Sequence, residues 1–154
     1  MEFISDQIYN LLLISVILHI IEEFVYPGGF AEEFRNLLSG FNLTISNFQI
    51  LLVNVLFLCL VIFSLIEQSN TPLISLAVFY LIGLNGILHV TTSIRLRRYF
   101  PGLITGGILY IPLALLVSVY SDFELSFKIY GILLAVLLHT VPFIVILAGK
   151  ILKK

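Results

Sequence analysis

The motif HIIEE, residues His19 to Glu23, carries the side chains in this chain best suited to chemistry. His19, Glu22 and Glu23 stand at i, i+3 and i+4, so on a helix all three project from one face. They fall near the end of a long apolar run. Inside a membrane a central charge costs about 2.5–3.5 kcal/mol on insertion scales, so partners elsewhere in the chain are expected. The motif NGILH supplies a second pair, Asn85 and His89, which share a face at i, i+4. A third histidine, His139, lies in a later apolar run.

Three imidazoles and two carboxylates form a donor set suited to a divalent transition metal such as zinc, iron or manganese. With His19, Glu22, Glu23, His89 and His139 as ligands, the two glutamates would cancel the charge of the cation and ease its burial. Glu22 and Glu23 are also the candidate catalytic groups, Glu23 as ligand or as general base for a bound water.

Two other readings of the same residues stay open. One is metal-free acid–base catalysis, such as isomerisation of a lipid double bond, with Glu22 as the proton-carrying group. The other is a hydrogen-bonded cluster that holds helices together or lines a binding or transport site. Asn54 and Asn85 suit hydrogen bonds to ligands or between helices better than ligation itself. His139 precedes Pro142 by three residues and could serve only the carbonyl that the proline frees.

The segment RLRRYFPG combines three arginines with Tyr99 and a Pro101-Gly102 turn. Its plain reading is topological: basic residues anchor a helix end and attract anionic lipid. Its sharper reading has Arg95 or Arg98 gripping a phosphate or carboxylate headgroup above the polar cluster. Tyr99 suits either a hydrogen bond into the site or an aromatic belt. The chain has no phosphate-cradling glycine loop, nucleophile elbow or CxxC, and no basic patch with aromatic spacing, so nucleic acid is not an expected partner.

The elements that must position these residues are membrane spans. The 154 residues are 60% hydrophobic and 11% charged, with a mean hydropathy of +1.12, which places the chain in the integral membrane class. At about 20 residues per span, roughly five helices use most of its length, so one transmembrane domain over residues 1–154 is expected. The spans read as about Asp6 to Tyr26, Phe48 to Ile66, Leu73 to Ile94, Leu103 to Tyr120 and Leu125 to Gly149, with Ser5 or Asp6 capping the first. Pro27-Gly28-Gly29 ends the first span. FAEEFRNLLSGF then spaces Phe30, Phe34, Leu37, Leu38 and Phe41 as a short interfacial helix. The fold class is thus all-α, a five-helix bundle. No cleaved signal peptide is expected, since Glu2 and Asp6 precede the first run without any Lys or Arg. The only cysteine, Cys59, admits no internal disulfide.

Five spans put the termini on opposite sides. Of the eight Lys and Arg residues, Arg35, Arg95, Arg97, Arg98, Lys150, Lys153 and Lys154 share one side and Lys128 alone takes the other. The positive-inside rule then places the N-terminus outside and the C-terminus in the cytoplasm of a cytoplasmic membrane. In that orientation His19, Asn54, Asn85, His89 and His139 all lie roughly 8–15 Å below the cytoplasmic face at 1.5 Å per residue. Thr105, Gly106 and Gly107 add an opening of small residues at a similar depth.

HIIEE, NGILH and YFPG, in this order between residues 19 and 102, resemble the HxxEE, NxxxH and YxPG patterns of the HXXEE-domain membrane proteins of bacteria. The resemblance covers about four of the five spans and implies that His19, Glu22, Glu23, Asn85, His89, Tyr99, Pro101 and Gly102 occupy the family's motif positions. It implies no reaction. The expectation is a metal-dependent membrane enzyme with a polar pocket in the cytoplasmic half, most economically a hydrolase, acting on a membrane lipid or small apolar substrate. The alternatives are the metal-free isomerase and a binding or transport protein. A homo-oligomer is compatible with all of these.

Overall fold

The computed structural model describes residues 6–67 and 70–151. Ser5, expected as a cap, lies outside the described residues, as do Gln68, Ser69, Lys153 and Lys154. The described residues are all-helical. Helix α1 (Asp6–Phe24) is the first span, α2 (Phe30–Ser39) the short amphipathic helix, α3 (Asn47–Ile66) the second span and α4 (Pro72–Leu96) the third. The fourth span, Leu103–Tyr120, is built from a single turn α5 (Leu103–Thr105), a π turn (Gly106–Tyr110) and α6 (Ile111–Tyr120). The fifth, Leu125–Gly149, divides into α7 (Leu125–His139) and α8 (Val141–Ile151). All five are long and apolar enough to cross a membrane.

Both interruptions have a proline at their origin. Pro142 stands in the first turn of α8, where its missing N–H costs nothing, and the fifth span breaks at Thr140 ahead of it. Pro112 cannot donate to the preceding turn, and that turn widens: Ile111 N–H bonds to Gly106 O, five residues back.

The bundle is organised around α4: 61% of an 18-residue apolar stretch within it is buried, against 17–39% for the like stretches of the other spans. Small residues let its neighbours approach closely, as lipid gives no hydrophobic drive between helices and packing must hold them. A Cβ added at Gly83 would stand 2.6 Å from Ala114 Cβ, and one at Gly86 would stand 2.6 Å from Gly106 O. The opening expected at Thr105, Gly106 and Gly107 is therefore closed: Gly86 backbone lies against Gly106, Val90 against Gly107, and Thr105 is bonded to α1. Helix α1 shows the consequence of this packing on its two faces. Leu12, Val16, His19 and Glu23 are buried at helical spacing, whereas Leu11, Ile14, Leu18 and Ile21 are exposed on the outside. Ser46 and Gln49 form a capping box at the start of α3, and Gln49 also reaches across to Val145 O at 2.7 Å.

Candidate functional site

The end of α1 meets the middle of α4 and the start of the fourth span. There His19, Glu23 and His89 are 3%, 5% and 4% exposed. Glu23 Oε1 lies 3.4 Å from His19 Nε2 and 3.2 Å from His89 Nε2. One donor atom from each of the three residues lies within 4.8 Å of the other two, a spacing that suits a metal ion.

Glu22, its neighbour in sequence, is engaged elsewhere. Oε1 accepts from Tyr99 Oη (2.7 Å) and Ile104 N (2.9 Å), and Oε2 accepts from Thr105 N (2.7 Å) and Thr105 Oγ1 (2.5 Å). Ile104 and Thr105 are the second and third residues of the fourth span, whose N–H groups have no partner within their own helix. The carboxylate thus caps this helix from a distant part of the chain, placing negative charge at its positive end. In return its four lone-pair directions are all satisfied, which a buried carboxylate requires.

This cap decides the tautomer of His19. The single proton of the Thr105 hydroxyl goes to Glu22, so toward His19 Nδ1, at 2.7 Å, the same oxygen can only accept. Nδ1 therefore carries the hydrogen and a neutral His19 presents Nε2 as an acceptor. Asn85 Nδ2 donates to its lone pair at 3.1 Å. The same Nε2 lies 3.4 Å from Glu23 Oε1, so a cation placed between them would take the lone pair that Asn85 occupies here.

Gly102 closes the site from the YFPG turn. Its φ of +91° lies in the region that favours glycine, and an added Cβ would stand 2.5 Å from His89 Nδ1 and 2.8 Å from His19 Cε1. The two imidazoles, with ring centroids 4.9 Å apart, thus abut backbone that carries no side chain. Phe100 of the YFPG turn and Phe30 of α2, centroids 5.6 and 5.8 Å from His89, form an apolar wall over the cluster.

Of the expected site residues, the structure brings together His19, Glu23 and His89, with Asn85 bonded to the first. Glu22 is adjacent but serves Thr105, Ile104 and Tyr99. His139 is half-buried at the end of α7 and is not among the residues whose donor atoms converge. Asn54 bonds within α3 to Ile50 O at 2.9 Å and takes no part. Arg95 is exposed. Arg98 is engaged by Glu33 of α2 through both terminal nitrogens, at 2.8 and 2.6 Å, which ties the turn to the short helix. Tyr99 points inward to Glu22, and burial together with that hydrogen bond raises its pKa above the ordinary tyrosine value. Three contributors were not expected from the sequence. Thr105 read only as part of a small-residue opening, Gly102 as a turn and a motif position without a role in the site, and Tyr110, whose ring lies 4.3 Å from His19, is not marked by any motif.

Residues 10–117 match the family model described as "Protein of unknown function with HXXEE motif". The chain belongs to the HXXEE family. The match takes in every residue of the cluster and ends within the fourth span, leaving the fifth, with His139, outside it. No curated protein and no solved structure matches the chain.

Proposed function

We propose that His19, Glu23 and His89 hold a divalent transition metal, zinc, iron or manganese, and that the protein is a membrane-embedded hydrolase acting on a lipid or small apolar substrate. The observation that carries this reading is the orientation of His19. Its Nδ1–H is held by Thr105 and through it by Glu22, which makes Nε2, now accepting from Asn85, the nitrogen whose lone pair is left for a metal beside Glu23. Ligating histidines are typically held in this way, the ring nitrogen away from the metal donating to a carboxylate or its relay. Three protein ligands leave a coordination position for substrate or water, the pattern of catalytic rather than structural sites. Charge supports the reading too. Glu22 and Glu23 lie side by side in a buried layer, and among the described residues no Lys or Arg is bonded to either. A divalent cation would balance both.

Such a cation would polarise a carbonyl oxygen and lower the pKa of a bound water. The residues of the chain do the rest. Glu22 acts through Thr105 as a positioning group for His19, Asn85 holds the Nε2 lone pair until a metal displaces it, and the wall of Phe30 and Phe100 excludes water and favours an apolar substrate. Placing the site toward the cytoplasmic side follows from the distribution of Lys and Arg.

One observation favours the metal-free alternative. His89 Nδ1 is buried without a partner, whereas ligation through Nε2 would leave an Nδ1–H needing an acceptor. Without metal, His89 Nε2–H donates to Glu23 and Nδ1 is a bare acceptor, which suits acid–base chemistry. Metal analysis of the purified protein separates the two. The metal reading expects about one equivalent per chain, lost in His19→Ala, Glu23→Gln and His89→Ala. Substoichiometric metal that these variants leave unchanged refutes it.

A further inference from the structure

Tyr110 is a fully buried side chain whose hydroxyl has no hydrogen-bond partner. Buried phenols nearly always find one, and leaving the group unpaired is destabilising. A phenylalanine would fill the same space without that penalty. Its place beside the site gives the hydroxyl a use. The ring lies on His19, centroids 4.3 Å apart and planes inclined by 31°.

The π turn explains how it comes to be there. In a regular α-helix, at about 100° per residue, side chains five apart point in widely different directions. Where the N–H of Ile111 bonds to Gly106 O, residues five apart are instead brought one above the other. Thr105 and Tyr110 are such a pair. One holds Nδ1 of His19 and the other covers its ring. An uninterrupted helix would present only one of them to α1. π turns are frequently found at functional sites.

We infer that the Tyr110 hydroxyl is the hydrogen-bond donor for an oxygen atom of the molecule bound at the triad, and that this molecule is an acyl compound with an apolar chain. Its carbonyl oxygen would receive the phenol's hydrogen bond while facing the cation, and the bond would strengthen as negative charge grows on that oxygen. The inference deepens the metal reading and rests on it.

The test compares the purified full-length protein with its Tyr110→Phe variant, both loaded with zinc, using octanohydroxamic acid as an oxygen-donor probe and octanethiol as a sulfur-donor control. Phenylalanine keeps the ring and removes a hydroxyl that bonds to nothing. Metal content should therefore be unchanged and Tm equal or higher. The hydroxamate should bind roughly 2- to 12-fold more weakly to the variant, the worth of one neutral hydrogen bond, while the thiol binds both proteins equally. Equal hydroxamate affinities with metal retained would overturn the role of Tyr110 and leave the metal reading standing. A variant that loses its metal or misfolds would show the hydroxyl to be structural and overturn the inference alone. A wild-type protein that takes up no zinc would overturn both.

Discussion

Replacing Gly102 by alanine tests the site without touching a ligand. Two costs combine there. A residue with a Cβ at φ +91° pays about 1–2 kcal/mol for its backbone. The methyl group also arrives 2.5 Å from His89 Nδ1, 2.6 Å from His89 Cε1 and 2.8 Å from His19 Cε1, where ordinary contact begins at 3.4 Å. The His89 ring must retreat by roughly 0.9 Å, several times the tolerance of about 0.2 Å on a metal–ligand distance. Crowding of this kind adds about 1–3 kcal/mol. Gly29→Ala is the matched control. Its φ is +93°, yet the nearest atom to an added Cβ is Pro101 Cγ at 4.0 Å, so it carries the backbone cost alone. The expected outcome is that both variants lose thermal stability in detergent, Gly102→Ala more than Gly29→Ala. Zinc affinity, read by competition with a chromophoric chelator, should fall by about 10- to 100-fold in Gly102→Ala only, as when the outer support of a ligand is disturbed. Equal affinities in the two variants would refute the claim that the bare backbone at Gly102 sets the imidazole geometry.

Three further outcomes are expected. Thr105→Val should weaken metal binding about tenfold and cost about 1–3 kcal/mol, because Glu22 loses a donor and His19 the acceptor that orients it; chelator competition and thermal melts read both. Tyr99→Phe should lower Tm modestly, and the loss should depend on pH. Since the folded state raises the pKa of Tyr99 above the ordinary tyrosine value of about 10, its bond to Glu22 contributes fully below pH 10 and is lost as pH rises further, so the Tm gap between the proteins should hold to that point and then narrow. A gap that already closes at neutral pH would contradict the assignment. For exposed Arg98 and half-buried Glu33, a double-mutant cycle with Arg98→Ala and Glu33→Ala should give a coupling of only about 0.2–1 kcal/mol, falling with salt; a larger coupling would mean that this contact, rather than the aromatic wall, holds α2 in place.

The spans and the shared faces of HIIEE and NGILH could be read directly from the chain. In lipid a lone backbone must satisfy its own hydrogen bonds, so a long apolar run has one regular solution, and its period decides which residues are neighbours. That logic extends to His19, Glu23, Asn85 and His89. It stops at Glu22, whose type and spacing suit a ligand as well as those of Glu23 do. The two glutamates are told apart by the start of the fourth span, some 80 residues away, where unsatisfied N–H groups attract one carboxylate and leave the other to the imidazoles. His139 and Asn54 count to the same depth along their helices, but a count along a helix says nothing of its rotation about its own axis.

What the sequence by itself determined, then, was a bundle of membrane helices carrying polar groups on particular faces, because composition and helical period are local properties. What only the tertiary structure decided was which of those faces meet. The contact of Gly86 with Gly106, the turn at Gly102 and the wide turn before Pro112 set the rotation and spacing of helices distant in sequence. Thr105 and Tyr110, five residues apart, reach the same imidazole only because that wide turn departs from the period on which every reading of the chain relied.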